Sequence, residues 1–175
     1  MNNYLLNQQE MIKSLKEKTE ILEHQCNFLN FIQSLKNLND HFLRTPIGDE
    51  KWSVIEIIGH FHPWDEFVLQ NRLPYFLTNC SLPPSPNTDE LNYHSAQLSK
   101  NNSFLYTIEK FIRIRSELVE TLNQLPEESW LAELKINQST LSLYSYFKGL
   151  MEHDLHHMNQ IQSFLKILNG NALPT

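Results

Sequence analysis

Apolar residues recur at three- and four-residue steps through most of this chain, the period of one buried face of an α-helix. From Thr19 the stripe runs Leu22, Cys26, Leu29, Ile32 or Gln33, Leu35 or Lys36, Leu38 and Phe42, which predicts a helix to about Leu43. Residues 1–18 carry the same spacing more sparsely, at Tyr4, Leu5, Met11, Ile12 and Leu15, and read as a short leading helix or a frayed extension. Thr45-Pro46-Ile47-Gly48 then stops the pattern, because Pro cannot continue a helix and Gly permits a turn. Ser53 followed three residues later by Glu56 is a capping box, with Trp52 placed to staple onto Ile57. The second stripe is Ile57, His60, Phe61, Trp64 and Phe67 or Val68, continuing to about Leu77 with a kink or break at Pro63.

Pro83, Pro84 and Pro86 mark a long loop over 79–89, and Thr88 or Asp89 can cap a short helix over 89–99. A third strong stripe starts at Ser103 and takes in Phe104, Ile108, Phe111 or Ile112, Arg115, Leu118 or Val119, and Leu122. Arg115 within that stripe either snorkels to its edge, the commoner outcome, or reaches a bound anion. Leu125 to Ser139 reads as a connection, with Trp130 plugging the end of the core. Ser139 or Thr140 can cap the last helix, from about Leu141 to Leu168, which Asn169-Gly170-Asn171 would end. Four long amphipathic helices joined by longer connections predict an all-α protein built as a four-helix bundle. Residues 19–175 are expected to form that bundle as one domain, with 1–18 leading into it.

Composition narrows the function classes. A formal charge of -6 with no Lys or Arg block argues against a nucleic-acid binder. Four glycines in 175 residues agree with helices rather than strands. Cys26 and Cys80 form no CxxC pair and no disulfide framework, so both are expected as free thiols in a reducing cytoplasm. The first residues show no basic and apolar leader, and no apolar run approaches the ~20 residues that span a membrane, so no signal peptide and no membrane contact are expected.

Candidate chemistry lies in the last helix, where His153, His156 and His157 fall within five residues. The stripe there is Tyr144, Phe147, Leu150, His153, His157, Ile161, Phe164 and Leu168, so two imidazoles occupy positions that call for Leu or Ile. Burying unpartnered polar rings costs several kcal/mol, so each needs a hydrogen-bond partner or a metal. His60 holds the same kind of position in the second stripe and is the candidate third ligand. His156 falls on the polar face with Glu152, Asn159 and Ser163, and His62 points elsewhere. Gln160 is placed to line such a site, Glu56 is expected to cap its helix rather than bond an imidazole, and Asp154 is not expected on the core face. No glutamate makes an HExxH motif, and no phosphate-cradling Gly loop, GxSxG or Cys/His nucleophile pair is found. Three histidines leave positions open on a metal, which marks catalytic rather than structural sites.

Lys51-Trp52-Ser53-Val54-Ile55-Glu56-Ile57-Ile58-Gly59-His60-Phe61 resembles the "kWSxxEilgHl" motif of the DinB/YfiT-like superfamily. His153-Asp154-Leu155-His156-His157-Met158-Asn159-Gln160-Ile161 is similar to its last-helix "HdxhHxxQi" motif, and the likeness spans roughly residues 20 to 168. The resemblance implies an up-down-down-up bundle and a divalent metal, often zinc or nickel, on His60, His153 and His157. It further implies either a metal-dependent hydrolase or an S-transferase using a low-molecular-weight thiol such as bacillithiol or mycothiol, acting on a small-molecule substrate, and a homodimer. Pro63 and the Pro-rich loop depart from the family pattern and bear on the shape of the pocket. The alternative from a different class is a non-catalytic bundle for binding or assembly, its histidines merely hydrogen-bonded. No general base is evident beside the ligands, which favours thiol activation over hydrolysis.

Overall fold

The computed structural model describes residues 2–76, 78, 82–131, 133–136 and 139–171. Helix α1 spans Asn2–Ser34, followed by a 3₁₀ turn at Leu35–Asn37 and a short α2 at Asp40–Arg44. Next come α3 (Val54–Asn71), α4 (Leu73–Phe76), α5 (Thr88–Asn101) and α6 (Phe104–Gln124). A 3₁₀ turn at Glu127–Leu131 leads into an antiparallel hairpin of β1 (Glu133–Ile136) and β2 (Ser139–Ser142), and α7 (Leu143–Asn171) closes the order. Leu77 and Cys80 lie outside the described residues.

The four long helices α1, α3, α6 and α7 form a four-helix bundle, and named contacts give its directions. Glu20 meets Lys148 and His24 meets Asp154, so α1 and α7 run parallel. Phe61 meets Phe111 and Asp65 meets Arg115, so α3 and α6 also run parallel. Phe28 against Phe111 and Gln25 against Arg115 set α1 antiparallel to α6. The order is therefore up-down-down-up, as the family resemblance implied.

Several boundaries differ from those expected. The break near Thr19 is absent, and α1's buried face is Ser14, Lys18, Ile21, Gln25, Phe28 and Ile32, offset from the apolar stripe. Half of that face is polar and finds partners elsewhere in the chain. Ser14 Oγ donates to the Glu127 carbonyl, Lys18 Nζ to the Leu125 carbonyl at 2.7 Å, and Gln25 accepts from Arg115. Cys26, placed in the expected stripe, is exposed. The helix expected to Leu43 stops at Ser34, and α2 restarts under an Asn39 cap whose side chain accepts from the His41 N–H.

Helix α3 starts as expected: the Ser53 N–H and Oγ both donate to Glu56 Oε2, at 3.0 and 2.6 Å. It stays one helix across Pro63 and is interrupted at Arg72 instead. The Arg72 guanidinium is buried, donates to the Pro83 carbonyl and Ser85 Oγ at 2.7 Å each, and lies over the Phe67 ring, so it ties down the Pro-rich connection. Asn87, not Thr88 or Asp89, caps α5 by accepting from Asp89 and Glu90. Helices α3 and α5 touch at Gly59, where an added Cβ would lie 1.6 Å from Ser99 Oγ.

The hairpin takes up residues 139–142, so α7 begins at Leu143 rather than Leu141. Ser142 Oγ accepts the Ser145 N–H as its cap. Helix α7 also continues through Gly170, where an end was expected. The core divides into two apolar clusters: one around Phe28, Ile58, Phe61 and Phe111, the other around Ile21, Leu118, Trp130 and Phe147. Trp130 is fully buried at the bundle's end, as anticipated. No described helix is long and apolar enough to cross a membrane.

Candidate metal centre

Helices α3 and α7 run antiparallel, and this brings His60 opposite His153 and His157. The ring centroids of His60 lie 5.2 Å from His153 and 4.7 Å from His157, and the two α7 rings are 4.6 Å apart. Nε2 of His60 and Nε2 of His153 are 3.4 Å apart, and one nitrogen from each of the three rings falls within 4.8 Å of the others. His60 is buried in the core, His157 is half-buried, and His153 stands open at the surface. Trp52 flanks His60 at 5.2 Å, and Phe61 presents a T-shaped contact to His153 and His157 at 5.7 and 5.5 Å.

Hydrogen bonds set the tautomers. His60 Nδ1 donates to the Ile57 carbonyl at 2.5 Å, and His157 Nδ1 donates to Gln160 Oε1 at 2.9 Å. Each bond holds the proton on Nδ1 and leaves the Nε2 lone pair free to ligate, and that of His60 faces His153. Burial, with the neighbouring rings adding to it, pushes the His60 pKa down to about 3. The same causes push His157 down to about 4, and desolvation lowers His153 in the same sense. All three rings are therefore neutral at neutral pH, the form a metal requires. The donor set fits a divalent cation.

His156 is exposed and takes no part in the group of three, and neither does His62, whose buried Nδ1 has no hydrogen-bond partner among the described residues. Glu56 is committed to its cap and to Lys100 Nζ at 3.0 Å, so it touches no imidazole.

Beside the histidines lies a buried charge cluster that sequence reasoning did not anticipate. Arg115 neither snorkels nor waits for an outside anion. It is 3% exposed and donates to Asp65 at 2.7 Å, to Asp154 at 2.6 Å and to Gln25 at 2.7 Å. Asp154, not expected on the core face, is 2% exposed and also bonds His24 at 3.2 Å. The signal for this cluster was present: Asp65 lies one turn after Phe61 and Asp154 one turn after Leu150, so acidic groups on two faces complement an Arg on a third. Burial raises both carboxyls, but Arg115 and His24 outweigh it at Asp154 and hold that group below the usual range. At Asp65 burial wins over Arg115, and the carboxyl is pushed up to about 6. One guanidinium shared by two carboxylates accounts for the split.

The cluster forms part of a cavity of about 290 Å³ that His153 also lines, with Phe61, Trp64, Val68, Leu118 and Leu150. On the other side, His157 and Gln160 border a second cleft of about 220 Å³ with Glu50, Lys51 and Trp52.

The family model of the DinB superfamily matches residues 29–161. Among solved structures, the chain is similar to YfiT from Bacillus subtilis, described as a probable metal-dependent hydrolase with an unusual four-helix bundle topology. The two share 15% sequence identity over 87% of each chain, with a TM-score of 0.71, a likeness of fold. No curated protein matches the chain by sequence.

Proposed function

The chain belongs to the DinB superfamily, and from that premise we propose that it is a divalent-metal-dependent enzyme acting on a small molecule. One observation carries the reading: His60, His153 and His157 converge, with a nitrogen of each within 4.8 Å of the others. These three residues would hold the cation, and a three-ligand set leaves positions open for a reactant. A divalent cation supplies Lewis acidity there, lowering the pKa of a water or thiol. The chain's own contribution is orientation. The Ile57 carbonyl and Gln160 orient the His60 and His157 rings, Trp52 packs beside His60, and Phe61 lies edge-on to His153 and His157.

Two chemistries fit this arrangement. Transfer to a low-molecular-weight thiol such as bacillithiol is favoured by the two openings, which allow one reactant on each side of the histidines. The carboxylates that line the cavity both pair with Arg115, which disfavours either as a base for water. Hydrolysis is favoured by the likeness in fold to YfiT. The test incubates metal-loaded protein with bacillithiol or glutathione and an electrophilic aryl compound, and separately with ester and amide substrates. The expected result is thiol consumption that stops on chelation and in His153→Ala. Turnover without thiol would move the reading to hydrolysis, and no metal-dependent turnover in any arm would reject an enzyme.

A further inference from the structure

The two openings beside the histidines differ in chemistry, and the difference points to what enters one of them. Phe61, Trp64, Val68, Leu118 and Leu150 give the cavity on the His153 side apolar walls. Most of its polar groups are spent on one another, Thr88 and His153 aside. Arg115 is shared among Asp65, Asp154 and Gln25, and the Trp64 indole N–H donates to Asn92 Oδ1 at 2.8 Å. A polar group entering there would lose its water and find few partners along the apolar walls, which costs affinity. An anion would also meet two carboxylates that share a single guanidinium. A volume of about 290 Å³ is roughly twice the ~150 Å³ that encloses one benzene ring.

We propose that this cavity is the subsite for the apolar body of the substrate, an uncharged compound with an aryl or branched-alkyl group of two- to three-ring size whose reacting end lies at His153. The assignment rests on reading His60, His153 and His157 as the reactive centre. The cleft bordered by Glu50, Lys51 and Gln160 then admits the other reactant, so the apolar compound is approached from the His157 side.

Fluorescence titration of the metal-loaded protein with N-phenylnaphthylamine, an uncharged apolar fluorophore, tests the assignment. Anilinonaphthalenesulfonate, the same ring system carrying a sulfonate, is titrated in parallel. Wild type is expected to bind about one N-phenylnaphthylamine per chain with blue-shifted emission, and the sulfonate about tenfold more weakly. Leu150 is only partly buried, so Leu150→Trp fills the cavity from its rim and should weaken N-phenylnaphthylamine about tenfold. Leu150→Phe, a smaller addition, should lose less, and elemental analysis of the same samples should find the metal retained in both variants. Unchanged binding in folded Leu150 variants, or a sulfonate that binds as tightly as its neutral analogue, overturns the subsite. Normal probe binding by a wild-type protein that retains no metal rejects the metal reading instead, so the two failures are told apart.

Discussion

Arg115 shows how much one residue can organise. Its guanidinium joins α1, α3 and α7 through Gln25, Asp65 and Asp154, between the two apolar clusters of the core. A lone buried charge would be costly, and its removal would leave two carboxylates stranded. The arrangement predicts a pH effect at Asp65, whose carboxyl is held at about 6 in the folded protein, above its ordinary value of 3.8. Between those limits the folded state binds a proton that the unfolded state does not, so folding is favoured as pH falls. Wild type should therefore gain stability relative to Asp65→Asn as pH drops from 7 towards 4, and denaturant melts of both proteins across that range check it. A difference that stays flat, or that runs the other way, would mean Asp65 is ionised throughout and fully neutralised by Arg115.

At the scale of elements, tight packing of α3 against α5 depends on Gly59. A methyl there would lie 1.6 Å from Ser99 Oγ and 2.6 Å from Ser99 Cβ, so the helices would have to move apart. Gly59→Ala should destabilise by about 1–3 kcal/mol despite the better helix propensity of Ala. Ser99→Gly in the same chain should recover part of the loss, read as melting temperature for the single and double variants. Equal melting temperatures for wild type and Gly59→Ala would show that α5 yields freely. The legible elements were those whose signals are local. The Ser53 and Glu56 box marked the start of α3, Ser103 marked the start of α6, and His60, His153 and His157 stood out because imidazoles interrupted apolar stripes. The face of α1 was misread because Ser14, Lys18 and Gln25 are buried by partners remote in sequence, which a hydrophobic period does not register. Asp154 was misplaced for the same reason. The 133–142 hairpin escaped notice because each strand has only four residues, too few for an alternation to show.

Across the whole molecule, the up-down-down-up order explains why the histidines meet. It sets α3 antiparallel to α7, so His60 early in α3 faces His153 and His157 midway along α7, between an apolar cavity and a more polar cleft. The central claim is that these three rings are metal ligands. The most direct test is elemental analysis of purified wild type after incubation with zinc or nickel. His60→Ala, His153→Ala and His157→Ala are measured beside it, with the exposed His156→Ala as control. The account predicts about one metal per chain in wild type and His156→Ala, and loss of it in the other three, as expected when one of three ligands is removed. Wild-type protein that stays metal-free after incubation, or triad variants that keep their metal, would contradict it.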